Sequence, residues 1–185
     1  MFISQGNQKV LNTRIFNLPC RVTCPGATKF CKGKCYARKA ENLYPETRIS
    51  RAKNLEDAMS PDFVVRLTEK MNKFVKPVKY FRIHESGDFY SQEYLDSWIA
   101  ICRDFPSIEF LAYTKSYFLD FSKRPENMKI IYSIMPDTAH FMDGLPVAYA
   151  GIHRERATLK CPGHCGKCRA CWKLKEGQSV YFDIH

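Results

Sequence analysis

The chain has 185 residues, of which 45% are hydrophobic and 26% charged, and its formal net charge is +10. This composition is typical of a folded domain and argues against intrinsic disorder, and no apolar run approaches the roughly 18 residues that a membrane span needs. The first residues lack the apolar stretch of a secretory signal. We therefore expect a single domain over 1–185, located in the cytoplasm and without a membrane partner.

Predicted strands and helices alternate along the chain. Strand patterns occupy 14–18, 78–84, 108–114, 129–134 and 146–152. Helical patterns occupy 46–59, 60–75, 91–105 and 116–122, with a single turn near 138–142. Ser60 followed by Pro61 is the expected start of the second helix, and Ser91 caps the third. This alternation predicts an α/β fold, a partial (β/α) barrel of about five or six parallel strands over 14–159.

The residues that follow the predicted strands are mostly polar. In parallel α/β folds the functional site lies beyond the carboxyl ends of the strands, so these residues should converge on one mouth. They are Cys20–Cys35, His84–Asp88, Thr114–Ser116, Ser133 with Asp137, and His153–Arg154.

Eight of the nine cysteines fall into two tight groups, whereas Cys102 stands alone on the apolar side of a predicted helix. The first group is Cys20, Cys24, Cys31 and Cys35, in a loop over 20–35, and the second is Cys161, Cys165, Cys168 and Cys171, in a Cys-rich C-terminal extension over 160–185. In a reducing cytoplasm, clustered cysteines indicate metal ligands rather than disulfides. We expect Cys102 to be a small buried core residue.

The C-terminal group places four cysteines within eleven residues, a compact spacing that favours a [4Fe–4S] cluster. A single zinc ion, with His164 as a substitute ligand, is the alternative. The N-terminal group has looser spacing and fits zinc or iron–sulfur equally well. Three thiolates at that position would leave one iron open for a ligand, and the predicted location at the site mouth favours this arrangement.

Positive charge surrounds both cysteine groups. Residues 1–53 carry a net charge of +9 and residues 153–185 a net charge of +4, whereas 54–152 carry −3. Cations beside thiols lower their pKa values, but the same charges could bind phosphates. An alternative function is therefore a zinc-stabilised nucleic-acid-binding module in which the aromatic, basic stretch Phe30–Tyr44 stacks on bases.

Three motifs resemble phage proteins of the gene-product-eighty-eight type. They are the segment Asn17–Ala40 with its four cysteines, Arg82-Ile-His-Glu-Ser-Gly-Asp-Phe89, and the closing Cys165-x2-Cys168-x2-Cys171-Trp172. The resemblance covers most of the chain. It implies a phage-encoded protein of the host cytoplasm, with a radical-SAM-like partial barrel and iron–sulfur clusters. In that pattern Cys24, Cys31 and Cys35 are the core N-terminal ligands and Cys20 is an addition.

The layout is also similar, more distantly, to radical S-adenosylmethionine enzymes. Ser86-Gly87-Asp88 stands where those enzymes have the motif that holds the methionine amine, although the cysteine spacing differs from theirs. The resemblance implies that the Ser86–Asp88 motif contacts S-adenosylmethionine or a substrate, and we expect Tyr36 and His84 to contribute to the same binding site. A hydrogen-bonded structural histidine is the alternative role of His84. A tight turn that caps the following helix is the alternative role of Ser86–Asp88.

The expected function is an iron–sulfur protein with one or two [4Fe–4S] clusters, acting as a radical-SAM-like or other redox enzyme on a small-molecule ligand or with a reductant. Electron transfer, or a structural cluster without catalysis, is a further alternative.

Overall fold

A computed structural model of the chain describes residues 1–6, 10–139 and 144–184. Its strands are Ile3–Ser4 (β1), Arg14–Phe16 (β2), Tyr80–Ile83 (β3), Glu109–Thr114 (β4), Met128–Ile134 (β5), Val147–Ala150 (β6), Leu159–Lys160 (β7) and Ser179–Phe182 (β8). Its α-helices are Lys29–Gly33 (α1), Tyr36–Leu43 (α2), Pro45–Ala58 (α3), Phe63–Asn72 (α4), Gln92–Asp104 (α5) and Cys165–Cys168 (α6). Short 3-10 helices span Arg154–Arg156 and Ala170–Lys173.

All eight strands belong to one sheet, in the order β1-β2-β3-β4-β5-β6-β8-β7. β1 pairs antiparallel with β2, and every other neighbouring pair is parallel. The α/β class and the five predicted strands are confirmed, and β7 and β8 extend the parallel run beyond the predicted five or six. The curvature of a partial barrel stays a prediction. The segment after residue 160 supplies β8, which lies between β6 and β7.

The two faces of the sheet are covered differently. Alternation along β3 turns Phe81 and Ile83 towards helices α3, α4 and α5, and we call this side the helix face. The opposite side, which we call the tail face, packs against the C-terminal segment. Its buried cluster is Leu111, Ile131, Ala148, Cys171, Trp172, Leu174 and Val180.

Helix α5 follows the sequence prediction closely. Ser91 caps it, because the Ser91 hydroxyl accepts a hydrogen bond from the Tyr94 amide at 3.2 Å. Trp98 and Cys102 on its inner side are fully buried, which confirms the prediction that Cys102 is a core residue.

Other boundaries were predicted wrongly. Helix α4 begins at Phe63, with Asp62 as N-cap, because Ser60 first forms a turn in which its carbonyl accepts from the Phe63 amide at 3.1 Å. The stretch 116–122 forms turns rather than a helix, since the Ser116 hydroxyl donates to the Phe89 carbonyl at 2.6 Å and draws the chain towards the end of β3. Of the predicted turn near 138–142, residues 140–142 lie outside the described ranges.

Strands β1, β7 and β8 were not predicted. β1 and β7 have only two residues each, too few for alternation to be recognised, whereas Ser179–Phe182 carries a β-branched and aromatic pattern that could have been read. Across the three described ranges, no helix combines the length and the apolarity needed to cross a membrane.

Candidate metal centre

The first cysteine segment is fastened to the end of β3 by the residues that enter it. The Asn17 side-chain oxygen accepts hydrogen bonds from the amides of Glu85 at 2.7 Å and Ser86 at 2.9 Å. The Ser86 hydroxyl donates to the Leu18 carbonyl at 2.8 Å, and the Leu18 amide donates back to the Ser86 carbonyl at 2.9 Å. The chain after β2 is therefore held against the chain after β3, as the sequence predicted.

Gly87 allows this close approach. Its φ is +86°, and a Cβ added there would lie 2.6 Å from Leu18 Cβ and 2.7 Å from the Thr23 hydroxyl. A side chain would meet both the backbone strain and the steric clash, so only glycine fits. The neighbouring Asp88 amide donates to the Thr23 carbonyl at 3.0 Å.

The buried Asp88 carboxylate joins the ends of β3 and β4. One oxygen accepts from the Thr114 hydroxyl at 2.7 Å and the Phe89 amide at 2.8 Å, and the other accepts from the Lys115 amide at 2.8 Å. Burial raises the pKa of Asp88, although Lys115 and these hydrogen bonds oppose the shift. Both carboxylate oxygens of Asp88 are thus used by hydrogen bonds within the protein. Helix α5 is capped by Ser91 rather than by the Ser86–Asp88 turn.

Helix α1 carries Cys31 and is held at its start by two side chains. The Thr28 hydroxyl accepts from the Cys31 amide at 3.1 Å, and the Asp137 carboxylate accepts from the Phe30 amide at 2.8 Å. Asp137 follows β5, so the end of a third strand also contacts the cysteine segment. The predicted convergence of residues after β2, β3, β4 and β5 is present in this geometry.

The thiols of this segment lie within one another's electrostatic field. Burial and, to a smaller extent, the charges of Asp88 and Cys31 raise the pKa of Cys24 to about 11, against the opposing charge of Lys115. Burial also raises the pKa of Cys31, with Lys115 again opposing and Cys35 adding to the shift. Lys115 is thus the cation whose charge lowers the pKa values of both thiols. In the sequence, only its position directly after a predicted strand marked it as a candidate site residue.

Cys20 has a partner of its own. Its amide donates to one Glu41 carboxylate oxygen at 2.9 Å, and its thiol donates to the other at 3.1 Å. Arg51 pairs with the same carboxylate at 3.0 Å. Burial, followed by the bond to Glu41 and the proximity of Cys35, raises the pKa of Cys20 far above its ordinary value.

The four C-terminal cysteines line a single cavity on the tail face, together with His164, Arg169 and Trp172. Burial raises the pKa of Cys165, and Arg82 opposes that shift. Burial is the main cause that raises the pKa of Cys171 to about 11, and the hydrogen bond from Tyr113 keeps that rise smaller than burial alone would make it.

Two arginines stack on aromatic rings beside this cavity. The Arg82 guanidinium lies 4.1 Å from the Tyr113 ring centroid, and its Nε donates to the His84 carbonyl at 3.0 Å. The Arg169 guanidinium lies 4.1 Å from the Tyr80 ring centroid. Neither arginine was singled out from the sequence, because only the sheet alternation places Arg82 on the same face as the C-terminal thiols.

The predicted contact residues His84 and Tyr36 differ in exposure. His84 is buried among aromatic rings, with Nε2 2.9 Å from the Tyr94 hydroxyl, and burial lowers its pKa to about 3, so it is a neutral core histidine. The Tyr36 hydroxyl donates to the Glu85 carbonyl while the residue stays 62% exposed. His153 pairs with Glu155 at 3.4 Å outside the cysteine loop.

The thiols are grouped but do not form a closed metal site. Within residues 1–6, 10–139 and 144–184, no three His, Cys, Asp or Glu side chains are arranged to hold one metal ion.

Comparison with known proteins gives a family for this sequence. The family model described as Gene product 88 matches residues 2–160. The chain is 36% identical over 186 residues to the Gene 88 protein of Mycobacterium phage L5, covering 80% of this chain and 77% of that protein. It is 36% identical over 164 residues to the Gene 88 protein of Mycobacterium phage D29, covering 76% of this chain and 68% of that protein. No solved structure matches.

Proposed function

The chain belongs to the Gene product 88 family, and we propose that it is an iron–sulfur protein of the host cytoplasm that holds one or two [4Fe–4S] clusters. The observation that carries this proposal is the grouping of eight cysteines at two places on one sheet. Each place has cations whose charge lowers thiol pKa values, Lys115 directly after β4 for the first group and Arg82 with Arg169 for the second.

Thiol chemistry supports ligation at both groups. Cys24 and Cys171 have pKa values raised to about 11, so they stay protonated at neutral pH without a bound cation. Iron or zinc removes those protons, because a coordinated thiol is deprotonated outright, and soft thiolates suit both metals. Since the side chains do not form a closed site as they stand, ligation requires the thiols of each group to move closer together.

The two groups would supply different numbers of thiolate ligands. Cys24, Cys31 and Cys35 would hold the first cluster, because Cys20 is engaged by Glu41. Three ligands leave one iron open to a small molecule. Cys161, Cys165, Cys168 and Cys171 would hold the second cluster with a full set of four. A bound cluster supplies one-electron transfer to a ligand or from a reductant.

A radical-SAM-like reaction at the first cluster is the finer form of the proposal. The Ser86–Asp88 turn does not fit the role of binding the methionine amine, because Gly87 packs on Leu18 and the Asp88 carboxylate already accepts three hydrogen bonds. S-adenosylmethionine would need other contacts, for which the exposed Tyr36 is available.

The test is anaerobic purification of the full chain, followed by iron and sulfide analysis and electron paramagnetic resonance after reduction. Two clusters predict about eight irons per chain, and Cys31→Ala or Cys165→Ala should each remove about half of them. Adding S-adenosylmethionine and reductant to the same sample, and measuring methionine and 5′-deoxyadenosine, tests the radical reaction separately.

Cys102→Ala is the matched control, because Cys102 is buried in α5 away from both groups and its loss should leave the iron content unchanged. A colourless protein with two zinc ions, or iron that survives loss of both groups, would contradict the proposal.

A further inference from the structure

An open groove of about 530 Å³ is lined by residues of the first cysteine segment and of α2. Its lining residues come from the turn after β2, from α1 and from α2: Cys20, Arg21, Val22, Lys32, Arg38, Glu41 and Asn42.

The groove is net positive. Arg21, Lys32 and Arg38 are exposed, and none of the ion pairs in the described part of the chain uses them. The acid in the lining, Glu41, is neutralised by Arg51 at 3.0 Å and accepts from both the amide and the thiol of Cys20. Three cations therefore face the groove without an opposing free carboxylate.

The backbone of Arg21 has a defined and unusual conformation at the groove. Arg21 has a φ of +67°, an unusual conformation for a residue with a side chain, and the turn is closed by the Val22 amide donating to the Cys20 carbonyl at 2.7 Å. A residue with a side chain adopts this conformation at a cost in free energy, so the fold keeps the Arg21 backbone at the groove against a local preference.

Val22 is an exposed apolar side chain in the lining, and further exposed apolar side chains lie on α2, the helix that carries Arg38, or at its ends. Val22 is 75% exposed, Tyr36 62%, Leu43 70% and Tyr44 61%. Exposed rings beside Lys and Arg are the pattern by which proteins hold single-stranded nucleic acid, with the cations on the phosphates and the rings against the bases. A folded acidic protein would pair with the cations but would not explain the exposed rings.

We propose that this groove binds single-stranded nucleic acid through phosphate contacts from Arg21, Lys32 and Arg38. This activity goes beyond the proposed cluster function and does not require a bound cluster. The charge of the groove is the complement of a phosphodiester backbone, and the exposed rings of Tyr36 and Tyr44 at the two ends of α2 offer stacking surfaces that tolerate any base.

The test measures binding of fluorescent 20-nucleotide single-stranded DNA and RNA to the full chain across a series of salt concentrations. The variant Arg21→Gln, Lys32→Gln, Arg38→Gln should bind all sequences more weakly. It should also lower the slope of log affinity against log salt by about 2, since each phosphate contact on a single strand contributes roughly 0.7.

The matched control is Lys70→Gln, Lys73→Gln, Lys76→Gln, which removes the same charge from exposed lysines at and beyond the end of α4. The control should keep the salt slope, and iron content measured on the same samples should be equal for all three proteins. Equal losses in both variants, absence of binding at low salt, tighter binding to duplex than to single strands, or equal binding of poly-glutamate would each overturn the assignment. If the original chain binds single-stranded nucleic acid but contains no iron after anaerobic purification, the result contradicts the cluster proposal alone.

Discussion

The helix face and the tail face of the sheet are stabilised by different kinds of contact. On the helix face Trp98 is fully buried, with ring centroids of Phe16, Phe81 and Phe63 at 5.5, 5.8 and 6.0 Å. On the tail face the buried cluster is smaller and includes Cys171, and arginines stack on its rings. Apolar burial alone accounts for the stability of the helix face. The tail face also contains thiols, which a bound metal would draw together, and arginines that stack on its rings.

This comparison predicts that Trp98→Ala destabilises the fold more than truncation of any side chain on the tail face. The substitution leaves a large cavity in the core of the helix face and should lower the free energy of unfolding by about 3–5 kcal/mol, with or without metal. Urea unfolding followed by circular dichroism measures this loss.

Trp172→Ala on the tail face provides the contrast. Trp172 donates from Nε1 to the Glu109 carbonyl at 3.2 Å and packs beside the C-terminal thiols. In metal-free protein its loss should expose the segment after residue 159 to protease while helices α3–α5 stay protected. Global unfolding by Trp172→Ala, with only local opening by Trp98→Ala, would reverse the comparison.

The helix face could be predicted from the sequence, whereas most of the tail face could not. The periodicity of α5 and the cap at Ser91 are local signals, and both predictions are confirmed. Arg82 and Arg169 acquire their roles only when residues distant in sequence meet: Arg169 donates to the Thr13 hydroxyl at 2.6 Å, across more than 150 residues. No local pattern encodes such a contact.

The candidate site, like the fold, could be predicted only in part. The rule that sites lie beyond the carboxyl ends of parallel strands correctly brought Asp88, Lys115 and Asp137 to the first cysteine segment. The rule could not say what each residue does there. It could not show that the Asp88 carboxylate would accept three hydrogen bonds from within the protein, or that His84 would be a neutral core residue. Both outcomes depend on burial and pairing in the packed structure.

A pH titration sharpens the comparison, because the helix face buries a neutral histidine. Burial, with a smaller effect of Arg82, lowers the pKa of His84 to about 3 in the folded chain, whereas an unfolded histidine has a pKa of about 6.5. Between these values the unfolded chain binds the extra proton, so stability is full above pH 6.5 and falls as the pH is lowered. The expected slope is about 1.4 kcal/mol per pH unit.

His84→Asn should remove that slope, since asparagine tolerates the positive φ of 66° and does not titrate. Urea unfolding at pH 6.5, 5.5 and 4.5 measures the difference between the two proteins. His153→Asn is the control, because His153 also has a positive φ but is 40% exposed. Parallel pH profiles for the original chain and His84→Asn would show that His84 is not buried in the neutral form.

The smallest expected effect concerns the cations that distinguish the two thiol groups. Arg82 lowers the pKa values of Cys165 and Cys171, and Lys115 lowers that of Cys31. In reduced, metal-free protein Arg82→Gln should therefore raise the thiol pKa values of the C-terminal group alone. Alkylation by iodoacetamide at pH 8, mapped by mass spectrometry, should slow by about two- to five-fold at Cys165 and stay unchanged at Cys31, because only the thiolate reacts.

The control is Arg103→Gln. It removes an exposed guanidinium on α5 that donates to the Lys123 carbonyl, and it should change neither alkylation rate. Equal slowing at Cys165 and Cys31 would mean that Arg82 acts on both cysteine groups. The two groups would then not have separate electrostatic environments.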